Sequence, residues 1–294
     1  MKRIVLLVVI ILLLTALSLA GHGLNEKSEK KAIEKVILEF MNGCMNNYEE
    51  EAVIKCFHPD FNGLSMENDS INVSTRSTFV EYVRKMKTKE PEGRKTKRTA
   101  RILSINVVRD IGLAEFETYS GDELLGTDFI VLLKSDGVWK FVRSVTLYHD
   151  QEEKINVELE KAKIKKVIKE SLVDAAGNYW DIEKWKKGFH PGFTGLTCVG
   201  SVLEKDKFSD WEQAIKAMKI KEPEGHRKLI TGKIPRIDVL GHMGIAEVKI
   251  YYGTELNETA YILFFKFSDG WKVVSKVGMN HNQNGDSEIQ KEAV

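Results

Sequence analysis

The sequence has almost no net charge. Among its 294 residues, 44 are lysine or arginine and 43 are aspartate or glutamate, so the formal net charge is +1. A chain balanced in this way has no overall field to attract nucleic acid or an anionic membrane surface. We therefore expect no nucleic-acid partner.

Motifs for nucleophilic catalysis, phosphate binding and metal binding are also absent. The chain contains no Gly-x-Ser-x-Gly, no Gly-x-Gly-x-x-Gly and no Walker-type loop. A metal site needs three or more ligands in close geometry, yet the seven histidines include no His-x-His or His-x-x-x-His pair. The sequence therefore predicts neither a metal nor a cofactor.

Only one segment is long and apolar enough to interact with the interior of a bilayer. Lys2 and Arg3 precede the apolar run 4–14, and Ser18-Leu19-Ala20 forms a small-x-small cleavage site, a pattern typical of a secretory signal at 1–20. An uncleaved anchor is the alternative, because 4–20 approaches the length that spans a bilayer. In both cases we expect the rest of the chain to be secreted or periplasmic, with no further membrane contact.

A shift of 132 residues places the chain in register with itself. The run Phe57–Leu64 (FHPDFNGL) recurs as Phe189–Leu196 (FHPGFTGL), and Lys89–Gly93 (KEPEG) recurs unchanged as Lys221–Gly225. A one-residue slip is needed only near the first helix. The repeat unit is therefore a domain of about 120 residues, which is an ordinary domain size.

Within each copy the hydrophobic periodicity changes once, from helical to strand-like. In the first copy, a helix begins near Ile33, a short helix at 52–56 ends before Pro59, and a third helix covers 78–87. The four predicted strands are 101–108, 113–119, 123–133 and 139–148. Three helices followed by a meander predict an α+β fold, with the helices across one face of a curved, mostly antiparallel sheet.

This order of elements, the Phe-His-Pro-x-Phe run at 57–61 and the Trp139-Lys140 pair resemble the nuclear transport factor 2-like superfamily. More narrowly, the chain is similar to its secreted SnoaL-like and "putative lumazine-binding" branches. The resemblance implies two cone-shaped domains, each with a pocket between helices and sheet, which pair through their sheets. The superfamily includes both enzymes and non-catalytic members, so the fold alone does not decide the function.

We predict domains at 28–150 and 158–282, joined by the short charged stretch 151–159 and followed by a flexible polar tail at 283–294. Because the linker is short, the two copies are expected to lie close together. By analogy with the homodimers of the superfamily, they would form a pseudo-twofold pair within one chain.

An enzyme of this superfamily would need a proton-transfer group deep in its pocket. The ketosteroid-isomerase-like members use a carboxylate with a tyrosine and a second acid, and this resemblance makes Asp60, Tyr48 and Asp128 the candidates in the first copy. The second copy has Gly192 and Ala260 in place of the two acids. The alternative is that Asp60 is a turn residue and Asp128 an exposed strand residue.

Histidines and aromatic residues are the candidate ligand-binding groups. Two pairs of histidines occupy equivalent places in the two copies, where each could act as a base or be a structural histidine. Aromatic residues also occur in both copies at the end of the first helix. The full candidate set is Tyr48, His58, His149, Trp180, His190 and His281.

Cys44 and Cys56 lie twelve residues apart on the first two helices. Their counterparts in the second copy, Ala175 or Ala176 and Gly188, are both non-cysteine. This joint absence predicts a Cys44–Cys56 disulfide, which leaves Cys198 as a buried small hydrophobe.

Together these features favour an exported, non-catalytic binding module for a small apolar or aromatic ligand, in one or both copies. One alternative is an isomerase, dehydratase or hydrolase that is active only in the first copy. The other is a purely structural or protein-interaction module, in which side chains such as Trp180, Phe57 and Phe189 would fill the pockets.

Overall fold

The structure is a computed structural model that describes residues 26–67, 69–148, 155–199, 202–226 and 229–281. Within these ranges, no helix is long and apolar enough to cross a membrane. The predicted signal at 1–20, His149, residues 151–154 of the predicted linker and the tail at 283–294 lie outside the described residues.

The first copy begins with helical elements and continues as a meander of strands. Helix α1 covers 26–39 and continues as a π-helical segment at Phe40–Asn47. The elements that follow are α2 (Glu50–Cys56), β1 (Phe57–Glu67), β2 (Ser70–Thr75), α3 (Arg76–Lys89), β3 (Arg98–Val108), β4 (Ile111–Ser120), β5 (Glu123–Ser135) and β6 (Val138–Tyr148).

The second copy repeats the same order. Helix α4 covers Val157–Val167 and continues as a π-helical segment at Ile168–Tyr179. The elements that follow are α5 (Ile182–Gly188), β7 (Phe189–Val199), β8 (Val202–Lys207), α6 (Phe208–Lys221), β9 (Ile230–Leu240), β10 (Met243–Tyr252), β11 (Glu255–Phe267) and β12 (Gly270–Asn280).

Each copy forms one six-stranded sheet, in the orders β2-β1-β6-β5-β4-β3 and β8-β7-β12-β11-β10-β9. All neighbours are antiparallel except β1 with β6 and β7 with β12, which are parallel. The four-strand meander confirms the α+β prediction, whereas the hairpin of β1 and β2 was not predicted. Its first strand contains Pro59, at a break in the register with β6, and this irregularity hides the alternation from which a strand is recognised.

The one-residue slip between the copies lies inside the first helix. Glu29 and Glu160 are 131 apart, whereas the buried Asn46 and Asn178, which bridge to the start of β3 and β9 in the same way, are 132 apart. The π-helical segment has 8 residues in the first copy and 12 in the second. A π-helical turn accommodates an inserted residue without ending the helix, so the second copy carries its extra residue there.

Three apolar cores hold the chain together. In each copy one core lies between the helices and one face of the sheet. The third core lies between the two sheets and contains side chains from both copies, including Leu113, Phe129 and Val145 from the first and Tyr261, Phe265 and Val277 from the second. The two copies therefore form a pseudo-dimer within the chain, packed sheet against sheet.

A carboxylate in each copy anchors the first helix to the last hairpin. Glu29 accepts hydrogen bonds from Trp139 Nε1 and Lys134 Nζ, both at 2.7 Å. In the second copy, Glu160 accepts from Trp271 Nε1 at 2.6 Å and from Lys266 Nζ at 3.1 Å. The tryptophan in the Trp-Lys pair of each last strand is therefore a helix anchor.

Glu160→Gln is expected to destabilise the second copy. Burial alone would raise the pKa of Glu160, but the hydrogen bonds from Trp271, Lys163 and Lys266 outweigh it and lower the pKa to about 2. A folded-state pKa below the ordinary value means that the carboxylate stabilises the fold above about pH 4.5, and that this contribution is lost as the pH falls toward 2. The shift corresponds to at most about 3 kcal/mol at neutral pH.

The measurement is urea unfolding between pH 2 and pH 7, with Glu158→Gln as the control because Glu158 is an exposed neighbour on the same helix. Glu160→Gln should lower the midpoint at pH 7 and reduce the loss of stability on acidification. Equal midpoints for the two variants at pH 7 would contradict the anchoring role.

The two helical cysteines do not form the predicted disulfide in the structure. Cys44 and Cys56 are buried free thiols, and Cys56 Sγ lies 3.8 Å from the carbonyl oxygen of Val36, to which it donates. A hydrogen bond with Cys56, together with burial, raises the pKa of Cys44. Cys198 is buried between the sheets, as expected for a small hydrophobe.

Candidate functional site

A cavity of about 270 Å³ opens in the second copy between its helices and its sheet. Its walls come from the π-helical segment after α4, from α6 and from the helix-facing sides of β10, β11 and β12. Much of the lining is small or apolar, including Val173, Gly177, Ala214, Val248, Ile250 and Ala260. The cavity is therefore a concave, mostly apolar site of the type that binds small molecules.

The first copy carries larger side chains at the same places. Met45 replaces Gly177, Tyr82 replaces Ala214 and Phe116 replaces Val248. All three pack in or against the helix-facing core of the first copy, and Phe116 is fully buried. At these three positions the first copy therefore fills part of the space that is open in the second copy.

The cavity wall contains one buried ion pair. Lys276 Nζ lies 2.7 Å from Glu258 Oε1 and 2.9 Å from Glu258 Oε2, and the two side chains are 8% and 14% exposed. The Glu258 carboxylate covers Gly278, where a Cβ atom would clash with Oε1. A buried pair of opposite charges can present both a donor and an acceptor to a ligand without giving the cavity a large net charge.

Aromatic rings form two sides of the cavity. Trp180 ends the π-helical segment in a left-handed conformation (φ 53°), which non-glycine residues seldom adopt, and lines the cavity. Trp211 on α6 lies opposite the sheet, with Lys276 Nζ 5.3 Å from its ring centroid. Tyr252 at the end of β10 also lines the cavity. These rings suit a flat ligand, because aromatic faces stack on planar rings.

Of the six predicted ligand-binding residues, the structure places Trp180 in this cavity. Tyr48 is its equivalent in the first copy and has the same left-handed backbone, but it is 2% exposed and packed in the core. Its hydroxyl donates to Glu90 Oε2 at 3.2 Å, and burial raises the pKa of the phenol. Tyr48 therefore serves the packing of the first copy.

The predicted histidines that the structure describes are not among the residues that line the cavity, and they make local structural contacts. Nδ1 of His58 and of His190 accepts a hydrogen bond from the backbone N–H two residues on, and His190 also stacks on Phe267 and borders an open depression of about 570 Å³. His281 Nε2 lies 2.9 Å from Thr259 Oγ1. Burial lowers the pKa of all three. Within the described ranges, no group of three or more His, Cys, Asp or Glu side chains could hold a metal ion.

The three candidate catalytic residues of the first copy have separate partners. The Asp60 carboxylate pairs with Lys205 Nζ of the second copy at 2.7 Å, so it belongs to the contact between the copies. Asp128 accepts hydrogen bonds from Thr118 Oγ1 at 3.1 Å and Thr146 Oγ1 at 2.5 Å. Burial raises the pKa of Asp128 to about 6, although these bonds oppose it. Asp128 is thus half-buried and hydrogen-bonded, which corrects its interpretation as an exposed strand residue.

Sequence reasoning missed Glu258 and Lys276. In the first copy Gly126 and Ser144 occupy their places, so two charges appear only in the second copy. Both line the cavity and therefore lie on the helix-facing side of their strands, and Glu258 is two residues from Ala260 of the helix-facing core. Charged residues on the buried side of a predicted strand are the signal that could have revealed the pair.

The cone of helices on a curved sheet, repeated twice and paired through the sheets, defines a tandem protein of the nuclear transport factor 2-like class. The family model described as "Putative lumazine-binding" matches residues 28–148 and 160–277. The chain therefore belongs to this family, in two tandem copies. A comparison with curated proteins finds no match.

Several solved structures are similar to parts of the chain. An NTF2-like protein of unknown function from Silicibacter pomeroyi is 16% identical, with a TM-score of 0.36, covering 42% of this chain and 98% of its own. One from Methylobacillus flagellatus is 24% identical, with a TM-score of 0.34 and coverages of 45% and 98%. A protein described as "Putative Scytalone Dehydratase" from Novosphingobium aromaticivorans is 18% identical, with a TM-score of 0.32 and coverages of 41% and 84%.

Proposed function

We propose that the protein is an exported, non-catalytic binding module, and that the cavity of the second copy takes one small aromatic ligand. The observation that carries this proposal is the open cavity of about 270 Å³ with tryptophans in its wall. Pockets for drug-sized ligands range from roughly 300 to 1,000 Å³, so this cavity suits a smaller molecule of one or two rings.

The chemistry of the walls narrows the ligand further. Trp180 and Trp211 favour a flat ring system, while Glu258 and Lys276 favour polar groups at one of its edges. The family description names lumazine, a two-ring heteroaromatic compound with such an edge. Lumazine is therefore the first probe, and indole is a second probe with fewer polar groups.

The proposal of a non-catalytic role rests on the residues of the first copy. The three candidate catalytic groups of that copy have separate partners, and its interior carries the larger side chains described above. Residues 1–20, with their secretory pattern, support an extracytoplasmic location.

Native mass spectrometry of protein purified gently from its own host tests the proposal. We expect a mass above that of one bare chain, and the excess should disappear on denaturation and release the ligand for identification. Calorimetric titration of the ligand-free protein with lumazine and with indole should then give one site per chain. A bare mass together with no heat from either probe would overturn the proposal and favour a structural module.

A further inference from the structure

The contact between the two sheets includes pairs of equivalent residues. Positions 132 apart in the sequence are equivalent in the two copies. Arg143 Nε donates to Ser275 Oγ at 2.9 Å, and Arg236 Nη2 donates to Ser104 Oγ at 3.1 Å. Each pair joins a position to its own counterpart, which happens only where the pseudo-twofold axis passes between them.

Each pair combines one arginine with one serine. The first copy supplies the arginine of one pair, and the second copy supplies the arginine of the other. Arg143 belongs to the first copy, whereas Arg236 belongs to the second. If either copy paired with a second copy of itself, an arginine would face an arginine at one position and a serine would face a serine at the other. The present arrangement avoids both mismatches.

Burial makes the mismatch costly at position 143. Arg143 and Ser275 are 2% and 0% exposed, and Arg143 also donates to the carbonyl oxygens of Asp60 and Val142. Burial lowers the pKa of Arg143 to about 10, so the guanidinium remains charged at neutral pH. Two such groups facing each other in a low-dielectric interface would repel strongly.

A contact away from the axis also favours pairing between the two different copies. Asn106 Nδ2 donates to Glu247 Oε2 at 2.8 Å, and its counterpart in the second copy is Asp238. In a pairing of the second copy with itself, Asp238 would stand where Asn106 now donates to Glu247. Asp238 already pairs with Arg236 and has no donor to offer, so this hydrogen bond would be lost.

We propose that the sheet face of each copy is a docking surface that fits the other copy and rejects a second copy of itself. The partner that this surface accepts is the complementary half of this same protein. A symmetric dimer surface would carry the same residue in both copies at each position on the axis. Here one copy has arginine and the other has serine, so the surface is specific for pairing between the two different copies.

Exchange of residues across the axis in the full chain tests this proposal. Ser275→Arg, which places arginine on both sides, should lower the urea midpoint by about 1 M. The swap Arg143→Ser/Ser275→Arg should recover at least half of the loss. By the pseudo-twofold symmetry, the new arginine would face a serine and the carbonyls of Gly192 and Val274, which are the counterparts of the Asp60 and Val142 carbonyls that Arg143 now uses. Ser74→Arg, on the exposed edge strand β2, is the control and should leave the midpoint unchanged.

A second exchange keeps the test informative if Ser275→Arg does not fold. Position 104 is partly exposed, so Ser104→Arg should fold, with a smaller loss of stability and faster hydrogen exchange in β3 and β9. The swap Ser104→Arg/Arg236→Ser should reverse these changes in part, because it also removes the ion pairs of Arg236 with Glu115 and Asp238. The proposal is overturned if single arginine variants match the control, or if neither swap recovers stability over its single variant.

Discussion

Val248→Phe is expected to lower the affinity of the second-copy cavity for its ligand by at least about 100-fold, or 2.7 kcal/mol. Val248 is buried and lines the cavity, and phenylalanine is the residue of the first copy at this position, Phe116. The added ring has open space to enter, so the variant should fold while losing the volume that a ligand needs. Calorimetric titration with lumazine or indole measures the change.

The matched control enlarges a side chain of α6 outside the cavity. Ile220 is 82% exposed, so Ile220→Phe adds apolar volume to the same domain without entering the cavity and should bind like the unchanged protein. Equal affinities for Val248→Phe and Ile220→Phe would show that the ligand binds elsewhere. Circular dichroism of both variants separates lost binding from lost structure.

Glu258→Gln is expected to destabilise the second copy by about 3 kcal/mol, because it leaves Lys276 buried and without its counter-charge. Both side chains of the pair are packed against neighbouring residues. Lys276 Nζ lies over Trp211, and the Glu258 carboxylate lies against Gly278. Urea unfolding followed by tryptophan fluorescence measures the loss, since Trp180, Trp185, Trp211 and Trp271 all belong to the second copy.

The double variant Glu258→Gln/Lys276→Met removes both charges, so it separates the effect of losing the ion pair from the effect of leaving one charge unpaired. It should be more stable than Glu258→Gln alone, because removal of both charges removes the uncompensated one. Glu50→Gln, which breaks an exposed pair with Arg84, is the control and should change the midpoint little. A Glu258→Gln midpoint equal to that of the control would mean that Lys276 finds another partner or reaches water.

The repeat and its elements could be predicted because they rest on local patterns. The helical face that begins at Ile33 and the four meander strands each follow from hydrophobic periodicity over short windows. The β1–β2 hairpin did not follow, because Pro59 and the register break in β1 interrupt the alternation. Pairing of β1 with β6 joins residues about 80 positions apart, which no local window can detect.

The candidate site was predicted only in part. Trp180 was singled out because its aromatic type recurs at Tyr48, whereas Glu258 and Lys276 have no counterparts and escaped notice. The histidines stood out through repetition, yet repeated residues in a duplicated fold more often maintain the fold than the function. His58 and His190 illustrate this, since each closes the same local turn with its own backbone.

The sequence by itself determined the duplication, the α+β order of each copy and the expectation that the copies pair. These follow from self-similarity and periodicity, which are properties of the chain alone. Only the tertiary structure decided that the second copy has the open cavity and that Arg143 meets Ser275 on the axis. The physical reason is that cavity volume and interface contacts depend on side chains from distant segments, whose sizes and charges combine only after the chain has folded.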